Sequence, residues 1–462
     1  MLGRNCIGGE IQIKKMKFWI HLVLLFIVFY VCTGCNTVDI EEKSVSVLTE
    51  TLGNYTNSVS DGPVSTPVPS LTLSLNPLSS ETPTPKPTIK PVSKTMTDRC
   101  IEISENPLSF SQLEGGLVVN GYGGGKTGNL ASILNFETGE LKNLVSNELD
   151  GSVAIAVSPD NELVLVVKRP ANEAYMRKIA LLDGNAQLVK EIPLEAEWGF
   201  NGWLDNEQIV AYKDWPDNPF EGWPYLTIIL NPFSNIQKEF PPDYPNFNTV
   251  DVWYPTSMTI FDPTLTRVIY PARKDHEDDA TAFVLWDLQN EKTITSIPAI
   301  LSYSPQPVWS LDGEFVIIGG LTEPGSNRDD HEIYKANRDG MVQILTHFSD
   351  DPPVERFRDF ALSPNSQLVA FWISDTRNKA GELAVLNTST GEIINYCVAG
   401  DLTEQRTSGT PIWSPDGRYL VVEQIVNKNQ SQIIIVDTMM EKGYMILKNQ
   451  IPVGWMTVGN KK

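Results

Sequence analysis

Histidine and cysteine are scarce in this sequence, although these residues carry much of the metal-ion and nucleophilic chemistry of proteins. The 462 residues include 4 histidines and 5 cysteines. The sequence also lacks the G-x-S-x-G nucleophile elbow, the H-E-x-x-H zinc motif and the glycine-rich phosphate loop. We therefore predict no catalytic residue. His276 and His331 lie beside carboxylates, so a metal-dependent site stays open as an alternative.

Positive charge is the second shortage. Lys and Arg number 36 against 57 Asp and Glu, so the formal net charge is −21, and the isoelectric point is about 4.6. A strongly negative protein is repelled by the phosphates of nucleic acids and by anionic membrane surfaces. We expect no nucleic-acid partner, whereas cationic peptides, metal ions and neutral glycans are compatible with this charge.

No apolar run reaches the length of about 20 residues that a transmembrane helix needs. The N-terminal run Phe18–Val31 follows the basic segment Lys14–Lys17, a pattern that indicates a secretory signal. The small residues before Cys35 resemble a bacterial lipobox, which implies that Cys35 carries the lipid anchor of an extracytoplasmic protein. Ordinary secretion and an uncleaved anchor are the alternatives. The start is Met1 or Met16.

A segment rich in Ser, Thr and Pro follows the predicted signal. Such a composition buries too little apolar surface to offset the entropy of ordering, so we predict a disordered linker. The predicted organisation is a signal peptide at 1–35, the linker at 36–98 and one folded domain at 99–462. The linker would hold the domain away from the membrane, in the periplasm or at the cell surface.

The folded part contains a repeat of about fifty residues. Seven short apolar runs each end in Asp or Asn, and the closing residues are spaced by 48, 48, 56, 50, 50 and 50 positions. Repeats of this length indicate propellers or solenoids. The runs are Ala131–Asn135, Ile179–Asp183, Leu226–Asn231, Phe283–Asp287, Ile333–Asn337, Leu383–Asn387 and Ile433–Asp437.

Each repeat has a second apolar run about twenty residues earlier, and in six repeats a turn rich in Asp, Asn, Gly or Pro precedes it. Ser414-Pro415-Asp416-Gly417 is one such turn. Four short antiparallel strands per repeat bury their faces only when they stack radially, which predicts an all-β, seven-bladed β-propeller. The tail Ile451–Met456 is expected to supply the inner strand of the first blade. Six blades are the alternative.

Two repeats resemble the TolB-like, WD-repeat-like β-propeller family. Pro411–Tyr419 is similar to its Pro-x-Trp-Ser-Pro-Asp-Gly element, and Glu332–Gly340 with Ile344–Thr346 is similar to the elements that follow. The resemblance covers about residues 107–457 and implies the fold, which hosts many unrelated functions. The TolB translocation protein also has an N-terminal α/β domain, which nothing before Asp98 predicts, so the resemblance does not assign that role.

Two cysteines lie in the folded part. Cys100 precedes the first blade, and Cys397 lies on the predicted outermost strand of blade six. In an exported protein an even pair favours a disulfide, with two unpaired thiols as the alternative. The tryptophans that recur on inner strands are predicted to pack between blades.

Ligand-binding residues are expected on the long loops that join blades or join second to third strands, which share one face of a propeller. Aromatic candidates for contacting a protein, peptide or glycan are Trp215, Phe220, Trp223, Tyr244, Trp253 and Tyr254. Carboxylates that would suit Ca²⁺ are Asp275, Asp278, Asp279, Asp329 and Asp330. No other cofactor is predicted.

The sequence favours a monomeric, non-catalytic binding scaffold. A metal-assisted polysaccharide lyase or hydrolase that uses the acidic loops is the alternative, and a structural component of the envelope is a third interpretation. An open aromatic groove would favour the scaffold, whereas histidines and carboxylates that converge on the axis would favour the enzyme.

Overall fold

The computed structural model describes the folded part of the chain with gaps in its loops. The described residues are 96–104, 108, 110, 113–121, 131–145, 152–168, 178–193, 199–214, 225–234, 236–240, 254–255, 260–273, 281–299, 305–322, 331–348, 354–375, 380–403, 406–407, 409–427 and 430–459.

These residues form short β-strands that follow the predicted runs. In chain order the strands are β1 (Thr97–Asp98), β2 (Ile103–Ser104), β3 (Gly116–Gly121), β4 (Ala131–Asn135), β5 (Leu141–Asn143), β6 (Val153–Val157), β7 (Leu163–Lys168), β8 (Lys178–Asp183), β9 (Leu188–Pro193), β10 (Gly199–Trp203), β11 (Ile209–Asp214), β12 (Tyr225–Asn231), β13 (Ile236–Phe240), β14 (Tyr254–Pro255), β15 (Ile260–Phe261), β16 (Arg267–Arg273), β17 (Thr281–Asp287), β18 (Lys292–Ala299), β19 (Val308–Trp309), β20 (Phe315–Leu321), β21 (His331–Asn337), β22 (Val342–Ile344), β23 (Val354–Leu362), β24 (Leu368–Asp375), β25 (Ala380–Asn387), β26 (Ile393–Thr403), β27 (Arg406–Thr407), β28 (Ile412–Trp413), β29 (Tyr419–Asn427), β30 (Gln430–Asp437), β31 (Lys442–Lys448) and β32 (Gln450–Met456).

The strands form the seven blades of a β-propeller, and the described residues contain no α-helix. From the axis outward, blade 1 is β32-β3-β4-β5, blade 2 is β6 to β9, blade 3 is β10 to β13, blade 4 is β14 and β15 followed by β16 to β18, blade 5 is β19 to β22, blade 6 is β23 to β26 and blade 7 is β28 to β31. The described residues likewise contain no helix with the length and hydropathy needed to span a bilayer. The predicted fold, with seven blades rather than six, is confirmed.

The C-terminal strand closes the ring. β32 pairs antiparallel with β3, with Gly116 opposite Met456 and Asn120 opposite Ile451. Blade 1 therefore contains strands from both ends of the domain, as predicted from the sequence of the tail Ile451–Met456. Closure of this kind leaves no unpaired inner edge between the first and last blades.

The hydrophobic core lies between the blades, in seven clusters that each join two successive blades. Alternation along each strand produces this arrangement, because successive side chains point to opposite faces of a sheet. In β24, Val369 and Phe371 pack toward blade 5, whereas Ala370 and Trp372 pack toward blade 7. Both faces are thus apolar, which explains why these strands are nearly continuous hydrophobic runs.

In blades 2, 4, 5, 6 and 7 a buried side chain before the first turn holds that turn in place. Ser158, Ser310, Ser363 and Ser414 are at most 2% exposed. Each of these hydroxyls accepts the backbone N–H five residues later, for example Tyr419 N to Ser414 Oγ at 2.8 Å. In blade 4, Asp262 takes this position. The prominent Ser-Pro-Asp-Gly motif therefore serves the fold.

In blades 1, 2, 3, 4, 6 and 7 the side chain of the Asp or Asn that ends the third strand accepts nearby backbone N–H groups. Asn135 Oδ1 accepts the N–H groups of Glu137 at 2.8 Å and Thr138 at 3.2 Å, and Asp437 Oδ1 accepts those of Met439 and Met440. Such Asx turns satisfy the backbone where the strand ends. The first turns of blades 2 to 7 and the third turns of all seven blades lie at the same end of the ring, which we call the turn face.

Tryptophans on inner strands join successive blades through hydrogen bonds. The indole N–H of Trp203 in blade 3 donates to Ala156 O in blade 2 at 3.4 Å. Trp413 in blade 7 donates to Ala361 O in blade 6 at 3.0 Å. Trp309 makes the equivalent bond to blade 4, and Trp455 stacks on Tyr419 of blade 7. The predicted packing role is confirmed.

An N-terminal strap, residues 97–104, runs along the outer edges of blades 6 and 7. Its strand β1 pairs parallel with β26, and β2 pairs parallel with β31. Cys100 and Cys397 form a disulfide with Cα atoms 4.8 Å apart, which is the pairing predicted from the sequence. Asn395 Nδ2 donates to Asp98 Oδ1 at 3.0 Å. The sequence placed Cys397 on the outermost strand of blade 6. In the structure β1 lies outside β26, so Cys397 is on the fourth strand and β1 is the outermost.

Candidate functional site

Most of the predicted ligand-binding positions lie outside the described residues. Tyr254 is an exception, since its backbone begins β14 and pairs with Arg273. The positions outside the described residues are Cys35, Trp215, Phe220, Trp223, Tyr244, Trp253, Asp275, Asp278, Asp279, Asp329 and Asp330. Their proposed contacts with lipid, ligand or Ca²⁺ stay predictions.

Glu332, at the described end of the acidic loop that precedes β21, supports the fold. Glu332 is 1% exposed, and its Oε2 accepts the hydroxyl of Thr346 at 2.6 Å and the N–H of Phe348 at 3.0 Å. A buried carboxylate with these partners supports the start of β21. Within the described ranges, no group of three or more His, Cys, Asp or Glu side chains is arranged to hold a metal ion.

A cavity of about 380 Å³ opens along the axis in the half of the ring nearest the turn face. Inner strands of successive blades build it, and its lining combines aromatic rings with a few polar groups. The side chains that we consider are Asn201, Trp203, Phe261, Gln306, Trp309, Asp359 and Phe360. The lining of this central cavity is polar and apolar in equal parts, and its volume lies within the range of small-ligand sites.

A β-bulge in blade 6 places a carboxylate at the central cavity. In β23, Arg358 pairs with Trp372 and Ala361 pairs with Ala370, so Asp359 and Phe360 oppose a single residue of β24. Asp359 has a φ of 60°, in the left-handed region. Bulges redirect side chains in this way. The bond from Trp413 to Ala361 O, at 3.0 Å, fixes the backbone beyond the bulge.

Burial raises the pKa of Asp359, and the neighbouring charge of Arg358 offsets only part of that effect. The ionised carboxylate is thus less favourable here than in water. A cationic or N–H-donating ligand would supply the interactions that water no longer provides. The central cavity can therefore combine apolar contact with recognition of a positively polarised group.

Sequence comparisons identify no relative of this chain. No model of a known protein family matches it, and no curated protein matches it either. Solved structures share its fold. TolB from Acinetobacter baumannii is 15% identical with a TM-score of 0.40, and the match covers 76% of this chain and 84% of that chain.

Two enzymes are also similar in fold. An oligogalacturonate lyase from Vibrio parahaemolyticus is 17% identical, with a TM-score of 0.47 and coverage of 73% of this chain and 90% of that chain. A putative 6-phosphogluconolactonase from Bacteroides fragilis is 16% identical, with a TM-score of 0.42 and coverage of 76% and 98%. At this distance the similarity concerns the propeller fold alone.

Sequence reasoning missed Asp359. It directed attention to long loops, whereas Asp359 lies within an inner strand. One signal was present, because the adjacent charges of Arg358 and Asp359 lie directly between Phe357 and Phe360. Two adjacent charges inside a strand buried on both faces indicate either a bulge or a functional group.

Proposed function

We infer that this chain is a membrane-anchored extracytoplasmic lipoprotein, and that its propeller is a non-catalytic binding scaffold for a protein, peptide or glycan. The observation that carries the binding part is the central cavity, with Asp359 among the rings of Trp203, Trp309 and Phe360. Rigid rings provide contact area at little entropic cost, and one desolvated carboxylate provides orientation.

The rigidity of the surrounding blades supports this function. The indole N–H groups of Trp203 and Trp309 are already bonded to the neighbouring inner strands. Their rings are therefore held in place before a ligand arrives, so that binding orders few side chains. Preorganisation of this kind lowers the entropic cost of association.

The anchoring part of the proposal rests on the signal-like start and on the strap. The strap is the first described part of the domain, and a disulfide holds it to blade 6. Lipid attachment at Cys35 is tested by replacing it with serine, which should release the protein from the membrane fraction.

Binding is tested by selecting displayed peptides on the purified protein. Selected peptides are titrated against the wild type, Asp359→Asn and Glu314→Gln. The last change is the matched control, since Glu314 is an exposed carboxylate on the turn face outside the cavity. Loss of a charge-assisted contact should weaken binding to Asp359→Asn about tenfold or more, with no change for the control.

Equal affinity of all three proteins would reject the central cavity as the site. A selection that yields no binder, together with an empty glycan array, would reject the scaffold function itself. The metal-assisted enzyme remains the alternative prediction, and it is tested by the metal content of the protein as purified and by thermal melting after chelation.

A further inference from the structure

Polar side chains from four blades line the central cavity. Asn201 in blade 3, Gln306 in blade 5 and Thr410 in blade 7 are exposed. Asp359 in blade 6 lies between the blades of Gln306 and Thr410, and its side chain is half-buried. We call these four side chains the polar ring. Each of them has at least one oxygen that can accept a hydrogen bond.

Three members of the polar ring occupy equivalent places in their blades. Gln306, Asp359 and Thr410 each lie four residues before the buried serine of the first turn. Because the blades repeat around the axis, equal offsets from that turn bring these side chains to a similar level of the cavity. Blades 5 and 7 are the neighbours of blade 6, so acceptors lie on both sides of the carboxylate. Three adjacent blades thus supply three acceptors to one side of the cavity.

Asp359 is the sole charged group among the described residues that line the central cavity. Burial raises the pKa of its carboxyl group, and the charge of the adjacent Arg358 offsets that effect only in part. Within the described part of the chain, this carboxylate has neither a hydrogen bond nor an ion pair. A desolvated charge is normally paired or hydrogen-bonded. The acceptor sites of Asp359 are therefore available to a cation that enters the cavity.

The backbone holds Asp359 at the cavity in an unfavourable conformation. Its φ of 60° lies in the left-handed region, which residues other than glycine adopt mainly where the surrounding structure requires it. The residues that follow are fixed, since Phe360 is buried between blades 5 and 6 and Ala361 O accepts the indole N–H of Trp413 at 3.0 Å. The carboxylate is thus positioned before any ligand binds.

The polar ring suits an ammonium group better than other cations. An ammonium has three N–H donors that point in different directions, and Asp359, Gln306 and Thr410 offer three acceptors from three blades. A guanidinium is a planar fork that suits the two oxygens of one carboxylate. Ca²⁺ takes about six to eight oxygen ligands, and the described ranges hold no group of three or more His, Cys, Asp or Glu side chains arranged for a metal.

We propose that the polar ring receives the side-chain ammonium of a lysine, which a basic segment of a partner protein inserts along the axis. The inference rests on the proposed binding function and names the chemistry of its partner. The cavity volume of about 380 Å³ is near the lower end of the range for ligand sites, which suits one long side chain. The apolar stem of lysine would contact the apolar part of the lining. The net charge of −21 attracts a basic segment.

The first experiment selects displayed peptides from three libraries on the full protein. Each library has one fixed central residue, which is lysine, arginine or glutamine, and its random positions exclude Lys, Arg and His. We expect the lysine library to yield binders at least about tenfold more often than the glutamine library. An equal yield from the glutamine library would overturn the inference and leave the proposed function intact. A higher yield from the arginine library would overturn the choice of an ammonium.

The second experiment locates the lysine by calorimetry. A selected lysine peptide is compared with the same peptide carrying acetyl-lysine, which keeps the stem and loses the charge. Acetylation should weaken binding to the wild type about tenfold or more. Asp359→Asn should weaken binding of the lysine peptide similarly and should change binding of the acetylated peptide little, because the two changes remove the same contact. Asparagine tolerates the left-handed backbone, so this variant keeps the bulge.

A further variant tests the neighbouring acceptor. Gln306→Leu should weaken binding of the lysine peptide about threefold, whereas Gln343→Leu, at an exposed position on the outer strand β22, should not change it. Fully additive effects of acetylation and Asp359→Asn would overturn the contact between lysine and Asp359. Binding of a neutral glycan that Asp359→Asn abolishes, with no lysine peptide bound, would also overturn the inference and keep the proposed function. The absence of any peptide or glycan binder would reject both.

Discussion

Replacing both Cys100 and Cys397 with serine should lower the free energy of unfolding by several kcal/mol. The bond joins residues 297 positions apart. The chain-entropy relation for a closed loop of that length gives about 5 to 6 kcal/mol at 25 °C. That figure is an upper value, since native disulfides usually contribute about 2 to 5 kcal/mol. The expected loss therefore lies at about 3 to 5 kcal/mol.

The strap keeps other contacts when the disulfide is absent. Arg99 N donates to Asn395 O at 2.8 Å, and Ile101 N donates to Tyr396 O at 3.2 Å. Arg99 also pairs with Glu441 on blade 7. These contacts are exposed or local, so we expect the strap to detach before the blades open. Hydrogen exchange at the amides of Arg99 and Ile101 should accelerate far more than at the inner strands.

The assay is guanidinium denaturation of the wild type and of the double serine variant. The midpoint should fall and the slope m should rise, because the unfolded chain without the crosslink is more expanded and exposes more surface. Reductant should lower the stability of the wild type and leave the variant unaffected, which serves as the control. A loss below about 1 kcal/mol would refute the reasoning, since the chain-entropy effect would then be absent.

Two further predictions concern contacts within and between blades. Trp413→Phe removes the indole bond to Ala361 O at 3.0 Å and should cost about 1 to 3 kcal/mol in urea denaturation. Burial by itself raises the pKa of Asp437, but hydrogen bonds from Arg418 and from nearby amides outweigh it and hold the pKa below its ordinary value. This stabilisation is fully present above the pKa that Asp437 has in the unfolded chain. It is lost as the pH falls through the lower pKa that Asp437 has in the folded protein. Melting temperatures between pH 6 and pH 2 should therefore fall less steeply in Arg418→Met than in the wild type.

Much of the fold follows from local sequence rules. The Asp or Asn that ends β4 or β30 marks a turn because its own side chain binds the next amides. The apolar runs mark strands because both faces of each blade are buried. The tail Ile451–Met456 resembles other inner strands, and this similarity was enough to predict the ring closure and the count of seven blades.

The binding features did not follow from such rules. The bulge that brings Asp359 to the axis depends on how β23 pairs with β24. Ring closure places Glu114 and Asp416, which are about 300 residues apart in the chain, at one surface cavity. The strap was expected to reach blade 6, yet β2 also pairs with blade 7. Periodicity cannot predict such contacts.

The sequence by itself determined the repeat, the strands, the turns and the number of blades, because these depend on residues that are neighbours along the chain. Only the tertiary structure decided which carboxylate reaches the central cavity and which strand edges pair with the strap. Those contacts arise when the ring closes, and closure brings together segments whose local sequences are independent of one another. The physical reason is that side-chain alternation and turn chemistry act over a few residues, whereas cavities are made by packing across blades.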